Sequence, residues 1–228
     1  MVSEIQVTPI RIKFKKYGSL MYISHLDLAK TMQKIIIRAG IDIWYSEGFN
    51  PQPKLVFAVP LPVGVESECE YMDIKINTPM PLDEISARLS ANFPDEMKVV
   101  DVYVPETKFK NIAFIDYDMA ITSPYIREDT AKNLNELFSG DVFVTKKSKG
   151  NEKEINLREY IKSFNAERVD NKIVIKAILC SGSDKNLNPE LIIEAIRKNT
   201  GILTHSLVDE YYDIMRKEML YEDLTIFK

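Results

Sequence analysis

The chain has 228 residues, 45% of them hydrophobic and 28% charged, which suits a folded protein of one or two domains. A net charge of −4 excludes a protein that is basic throughout but leaves room for a local cationic face, because binding depends on where charge sits. No apolar run approaches the ~20 residues that would span a bilayer. Cys69 and Cys180 are the only cysteines, which excludes a disulfide framework and fits a reducing, cytoplasmic setting. The opening MVSEIQVTPI has an acidic residue and no long apolar core, so no secretory signal is expected.

Taken in order, residues 11–18 alternate: Ile10, Ile12 and Phe14 on one face, Arg11, Lys13 and Lys15 on the other. That pattern is a half-buried strand. Ser24 then offers an N-cap with an acidic residue, Asp27, three positions on. Leu28, Met32, Ile35, Ile36 and Ala39 follow at helical spacing, and Gly40 ends the helix. Residues 44–64, WYSEGFNPQPKLVFAVPLPVG, set Gly48, Pro51, Pro53, Pro60, Pro62 and Gly64 around a short apolar strand near 54–59. Proline fixes φ and removes a donor, and glycine permits positive φ, so these segments have specified shapes. Two roles fit them: a rigid loop capping the core, or a preformed ligand loop on a scaffold. Residues 70–77 alternate again, with Met72, Ile74 and Ile76 inward. Pro81 opens a second helix carrying Leu82, Ile85, Leu89 and Phe93, and residues 99–104 make a fourth strand. The order is βαββαβ.

Residues 105–111 are polar and open with proline, so the boundary between a first domain (1–104) and a second (112–228) is placed there. The order then recurs. Residues 112–121 are a strand. Ser123-Pro124 starts a helix running to Gly140, and residues 142–147 are a strand before a Lys149-Gly150-Asn151 turn. Residues 154–161 continue as the edge strand of a hairpin, and 172–179 form the third main strand. Asn188-Pro189 begins a helix ending at Gly201, and 210–221 is the last strand. The expected fold class is α+β, with tandem ferredoxin-like βαββαβ units, each an antiparallel sheet with two helices on one face.

The chain holds no P-loop, no Gly-x-Gly-x-x-Gly after a strand and no Gly-x-Ser-x-Gly. Two cysteines cannot supply the three or four thiolates of an iron–sulfur cluster, and His25 and His205 are the only histidines, so no metal site is expected. His25 is the one candidate catalytic residue, an acid or base at a helix start; the alternative is a first-turn histidine bonded to a loop. His205 is expected to be a solvated loop residue. Arg11, Lys13 and Lys15 would project together, with Arg38 and Lys54 near if the fold allows and Trp44, Tyr45 and Phe49 close by. Cations beside aromatic rings suit a phosphate backbone and stacked bases; a solvated outer face is the plainer alternative. Lys146, Lys147, Lys149 and Lys153 form a second basic cluster, expected to be a solubilising turn.

Several runs together resemble the radical-SAM-linked protein family, also catalogued as a domain of unknown function. They are Tyr22-Ile23-Ser24-His25-Leu26-Asp27-Leu28, Arg38-Ala39-Gly40, Tyr45-Ser46-Glu47-Gly48-Phe49-Asn50-Pro51-Gln52-Pro53-Lys54, Pro60-Leu61-Pro62-Val63-Gly64-Val65 and Glu70-Tyr71-Met72-Asp73. The match is specific through residues 11–76 and looser at residues 154–158 and at Met215-Arg216. Family members often carry histidine where Gln52 stands, so a metal ligand or base at that position is not expected. The resemblance implies a bacterial protein, found alone or fused behind a cobalamin-binding radical SAM protein, that acts beside a radical SAM enzyme. The iron–sulfur cluster and SAM would then sit on the partner, with no cofactor in this chain. The tandem fold also resembles that of endonucleases that process CRISPR repeat RNA, at fold level only.

The expected function is a non-catalytic accessory module that binds RNA, tRNA or rRNA, for a radical SAM modifying enzyme. The expected ligand residues are Arg11, Lys13, Lys15, His25, Arg38, Tyr45, Gly48, Phe49, Asn50 and Lys54. One alternative is an RNA endonuclease or modifying enzyme using His25 with Lys54 or Arg38. Another is a protein-interaction module docking a radical SAM protein.

Overall fold

Alternation in the first strand is translated directly into a core. In the computed structural model, which describes residues 7–148, 151–182, 185–205 and 208–228, strand β1 (Thr8–Lys16) buries Ile10, Ile12 and Phe14. Helix α1 (His25–Arg38) covers them with Leu28, Met32, Ile35 and Ile36. Its start is the expected box: the Asp27 amide donates to Ser24 Oγ at 3.1 Å. Its end is Gly40, at φ +64°, whose amide donates to the Ile37 carbonyl. Strand β2 (Val56–Phe57) is only two residues long, because Pro53 and Pro60 bracket it and neither can donate to a ladder.

Strand β3 (Val65–Ile76) starts earlier than its apolar alternation indicated. Its first inward residues are Val65, Ser67 and Cys69, one of them polar, with Glu66 and Glu68 between. A bulge then resets the inward set: Phe14 faces Glu70, whereas Lys16 faces Ser67. Helix α2 (Leu82–Ser90) buries Ile85 and Leu89; Leu82, expected in its apolar stripe, is exposed. Strand β4 (Met97–Tyr103) completes an antiparallel sheet in the order β4-β1-β3, with β2 on the outer side of β3. That is the split-βαβ arrangement, with both helices on one face.

The chain divides into two compact units, Met1–Phe109 with Lys228, and Lys110–Phe227. The second repeats the path with an insertion. Strands β5 (Phe114–Thr122), β8 (Ile161–Val169), β9 (Lys172–Cys180) and β10 (Tyr211–Leu220) lie in the antiparallel order β10-β5-β9-β8. Helices α3 (Thr130–Ser139) and α4 (Glu190–Thr200) supply Leu134, Phe138, Ile192, Ile193 and Ile196 to the core. Strands β6 (Phe143–Ser148) and β7 (Asn151–Asn156) form a separate two-stranded hairpin.

Two expectations are corrected in this unit. The strand at 142–147 belongs to the inserted hairpin, and β8 takes the edge of the main sheet. Only Ala166 of β8 is buried, so its alternation carries little signal. The helix expected from Ser123 begins at Thr130; the Ser123 hydroxyl donates to Glu210 at 2.8 Å and accepts the Tyr125 amide at 3.2 Å, which closes a turn and not a helix start. Lys149 and Gly150 of the expected basic turn lie outside the described residues; Lys146 donates to the Asn186 carbonyl at 2.7 Å.

Candidate ligand cleft and loop

The proline- and glycine-bracketed segment closes on itself as a small lasso. Trp44 donates its amide to the Lys75 carbonyl at 2.8 Å, which anchors the loop to the end of β3. Tyr45 and Pro53 form an isolated bridge, Ser46 N donates to Gln52 O at 2.9 Å, and Gln52 N donates to Ser46 Oγ at 3.1 Å. The Gln52 side-chain amide donates to Asn50 Oδ1 and so braces the turn. Gly48 sits at φ +128°, and a Cβ there would meet nothing within 4 Å; the backbone angle, not space, selects glycine. Phe49 at the tip is fully exposed, and Tyr45, Asn50 and Pro51 are exposed beside it.

The face of the first sheet that the helices leave uncovered carries Pro9, Arg11 and Lys13 from β1 and Tyr71, Asp73 and Lys75 from β3. Arg11 was expected to be an outward phosphate contact. Instead it is fully buried and held bidentate by Asp73, at 2.7 and 2.8 Å. It also donates to the Thr107 carbonyl at 2.9 Å and stacks over the Phe109 ring at 4.3 Å. Burial opposes its charge and Asp73 outweighs that opposition, raising its pKa further. Burial likewise pushes the Tyr103 phenol beside it up to about 12, so that ring stays neutral. Residues 105–109, expected as a linker, are thus fastened over this face by Arg11. The cause is geometric: a desolvated guanidinium needs a carboxylate and carbonyl acceptors, and Asp73 and the Thr107 carbonyl supply them.

Beside the fastened segment lies a cleft of about 700 Å³, lined by Lys54, Val56, Lys75, Pro105, Lys108 and Phe109 among others. Lys54 and Lys75 place their ammonium groups 5.9 and 5.6 Å from the centre of the Trp44 ring. Such distances are those of cation–π pairs. The half-buried tryptophan therefore holds two exposed lysines at the mouth of a cleft whose walls are partly apolar.

Of the expected ligand residues, Lys54 lines this cleft, and Tyr45, Gly48, Phe49 and Asn50 belong to the adjoining lasso. Lys13 lies on the same face, 5.3 Å from the Tyr71 ring centre, and Lys15 is half-exposed beyond the bulge, opposite Lys98. His25 and Arg38 are elsewhere. The His25 ring packs edge-on against Phe57 at 5.2 Å, and Phe57 packs against the helix-side core. Arg38 ends α1 and reaches the Asn92 carbonyl at 3.4 Å. The two stand about 20 Å apart along the helix at 1.5 Å per residue, so the structure does not bring His25 together with Arg38. Sequence reasoning missed Lys75 and Lys108, and it set Trp44 near the cations without counting it among the ligand residues. Lys75 was legible as an outward residue of an alternating strand; its pairing with Trp44 was not. Among the described residues, no group of three or more His, Cys, Asp or Glu side chains is placed to hold a metal ion. No helix of the described residues is long and apolar enough to cross a membrane.

A protein of two ferredoxin-like α+β units, with a stiffened loop beside a lysine-lined cleft, is what the fold and site define. The chain belongs to the bacterial family described as "Uncharacterized protein conserved in bacteria (DUF2344)", whose model matches residues 9–189. No curated protein matches it. Among solved structures it is similar to a chain of a Cbf5-Nop10-Gar1 complex, at 9% identity and a TM-score of 0.51, over 92% of this chain and 48% of that one. The chain thus spans about half the length of that relative, and at this identity the likeness concerns fold alone. Fainter likenesses are to an unknown protein from Galdieria sulphuraria (6% identity, TM-score 0.27, 92% of this chain and 99% of that one). A putative glycine cleavage system transcriptional repressor follows (8% identity, TM-score 0.25, 92% of this chain and 96% of that one).

Proposed function

We propose that the chain is a non-catalytic accessory module that binds RNA, tRNA or rRNA, and serves a partner radical SAM modifying enzyme. The observation that carries the RNA reading is the cleft mouth: Lys54 and Lys75 held on Trp44, one lasso away from a fully exposed Phe49. Lysine ammonium groups take phosphates, and a rigidly presented aromatic ring stacks on any unpaired base. The motif resemblance supports the radical SAM partner. The iron–sulfur cluster and SAM are assigned to that partner, since two cysteines cannot supply the three or four thiolates of a cluster.

The test is binding of fluorescently labelled structured RNA to the full chain, compared with Lys54→Glu/Lys75→Glu. Affinity should fall by about tenfold or more at moderate salt, with an unchanged melting curve. Equal affinity of the two proteins would remove the site. Co-purification with a radical SAM protein that disappears on nuclease treatment would indicate RNA bridging, and persistence in nuclease and high salt a direct contact.

A further inference from the structure

The second unit has a cleft of its own, about 390 Å³, formed by the segment before α3, the start of that helix and the end of α4. Tyr125, Arg127, Asp129, Asn133, Asn199 and His205 line it. At its edge His205, expected to be merely solvated, is oriented from behind by Glu210. That carboxylate is 1% exposed and accepts the Leu203 amide at 2.5 Å, the His205 amide at 2.8 Å and the Ser123 hydroxyl at 2.8 Å. Burial alone would push its pKa up, but these donors hold it below the ordinary value. An ionised carboxylate only accepts, so its 2.9 Å contact with His205 Nδ1 is a donation from Nδ1–H. The imidazole thus has one nitrogen committed, and Nε2 remains for a ligand. A ring stack on Tyr125, at 4.2 Å and 29°, fixes the plane.

The rest of the lining is uncommitted in a consistent way. The exposed Arg127 uses its backbone amide, which donates to Thr130 Oγ1, and its guanidinium has no partner among the described residues. Asn199 donates Nδ2 to the Ala195 carbonyl and keeps Oδ1 as an acceptor. Asn133 keeps both ends of its amide. Tyr125 is half exposed, although His205 covers one of its faces. We propose that this cleft binds a nucleoside monophosphate moiety, with Arg127 and the Nε2–H of His205 as the imidazolium donating to the phosphate, Tyr125 against the base, and the two asparagine amides on its edge. Asp129 accepts from the ribose hydroxyls. A bare phosphate would leave the aromatic ring and both amides without a role, and a polymer backbone would need an open track. The volume lies at the small end of ligand sites and suits one nucleotide.

The site goes beyond the RNA reading of the first unit and does not rest on it. The moiety can come from a free nucleotide or from an RNA terminus. The experiment is titration of the full chain with AMP, GMP, CMP, UMP and inorganic phosphate, read by calorimetry and by the ring resonances of His205 and Tyr125. At least one nucleotide should saturate below about 1 mM, with inorganic phosphate about tenfold weaker or worse. Arg127→Ala and His205→Asn should each weaken binding by about tenfold; asparagine keeps a donor for Glu210, and a melting curve checks the fold. Lys54→Glu/Lys75→Glu should leave mononucleotide binding unchanged, which separates this site from the first. Competition by a 5′-phosphorylated oligoribonucleotide, but not by its hydroxyl form, assigns the source to an RNA end; no competition by either assigns it to the free nucleotide. No saturation at about 10 mM, equal binding of inorganic phosphate, or unchanged affinity in both cleft variants would overturn the proposal.

Discussion

Arg11 shows how one residue can look like a ligand contact and be a fastening. Its guanidinium has no exposed side-chain surface, while Asp73 keeps 27% of its own. Removing the carboxylate leaves a buried cation unpaired, so Asp73→Asn should destabilise the first unit by about 2–4 kcal/mol, a little under the fully buried range. Arg11→Met should cost less, because a well-packed apolar side chain needs no partner. Urea unfolding of both variants tests the order; a harmless Asp73→Asn would contradict the fastening. Glu210 gives the corresponding pH dependence. Its folded pKa is lowered from an ordinary 4.5, so its contribution is present above that value and is lost as pH falls through the folded one. The stability gap between wild type and Glu210→Gln should be widest near neutrality and should close in acid, as thermal melts across pH would show. A gap independent of pH would mean that the charge itself does nothing.

At the scale of elements, the lasso is stiff for local reasons and its tip contributes nothing to the core. Phe49→Ala should therefore leave the melting temperature unchanged. It should weaken RNA binding by about five- to a hundredfold if a base stacks there, in line with 1–3 kcal/mol per stacked base. Loss of stability without loss of binding would mark the ring as packing after all. The inserted β6–β7 hairpin and edge strand β8 show the opposite case. The hairpin alternates strongly and was legible as strand, with Val144 and Ile155 buried. The edge strand buries a single alanine, so local pattern gave the main-sheet position to the wrong segment.

For the whole molecule, a net charge of −4 means that any RNA affinity must come from where cations are placed. Two phosphate contacts at Lys54 and Lys75 would contribute about 1.4 to the slope of log affinity against log salt on a single strand, at about 0.7 each. The doubly substituted protein should bind with a slope shallower by that amount, and parallel slopes would place the contacts elsewhere.

What the sequence determined by itself was whatever depends on near neighbours along the chain: the Ser24–Asp27 cap, the Gly40 stop, the inward sets of β1 and α1, and the recurrence of βαββαβ. These follow from periods of 2 and 3.6 residues and from backbone angles that few residue types allow. Only the tertiary structure decided which polar groups found each other. Arg11 meets Asp73 across 62 positions, and Ser123 meets Glu210 across 87. Alternation tells which side of a strand a residue faces, but desolvation and hydrogen bonding by distant segments settle whether that side meets water, a folded-over segment or a ligand.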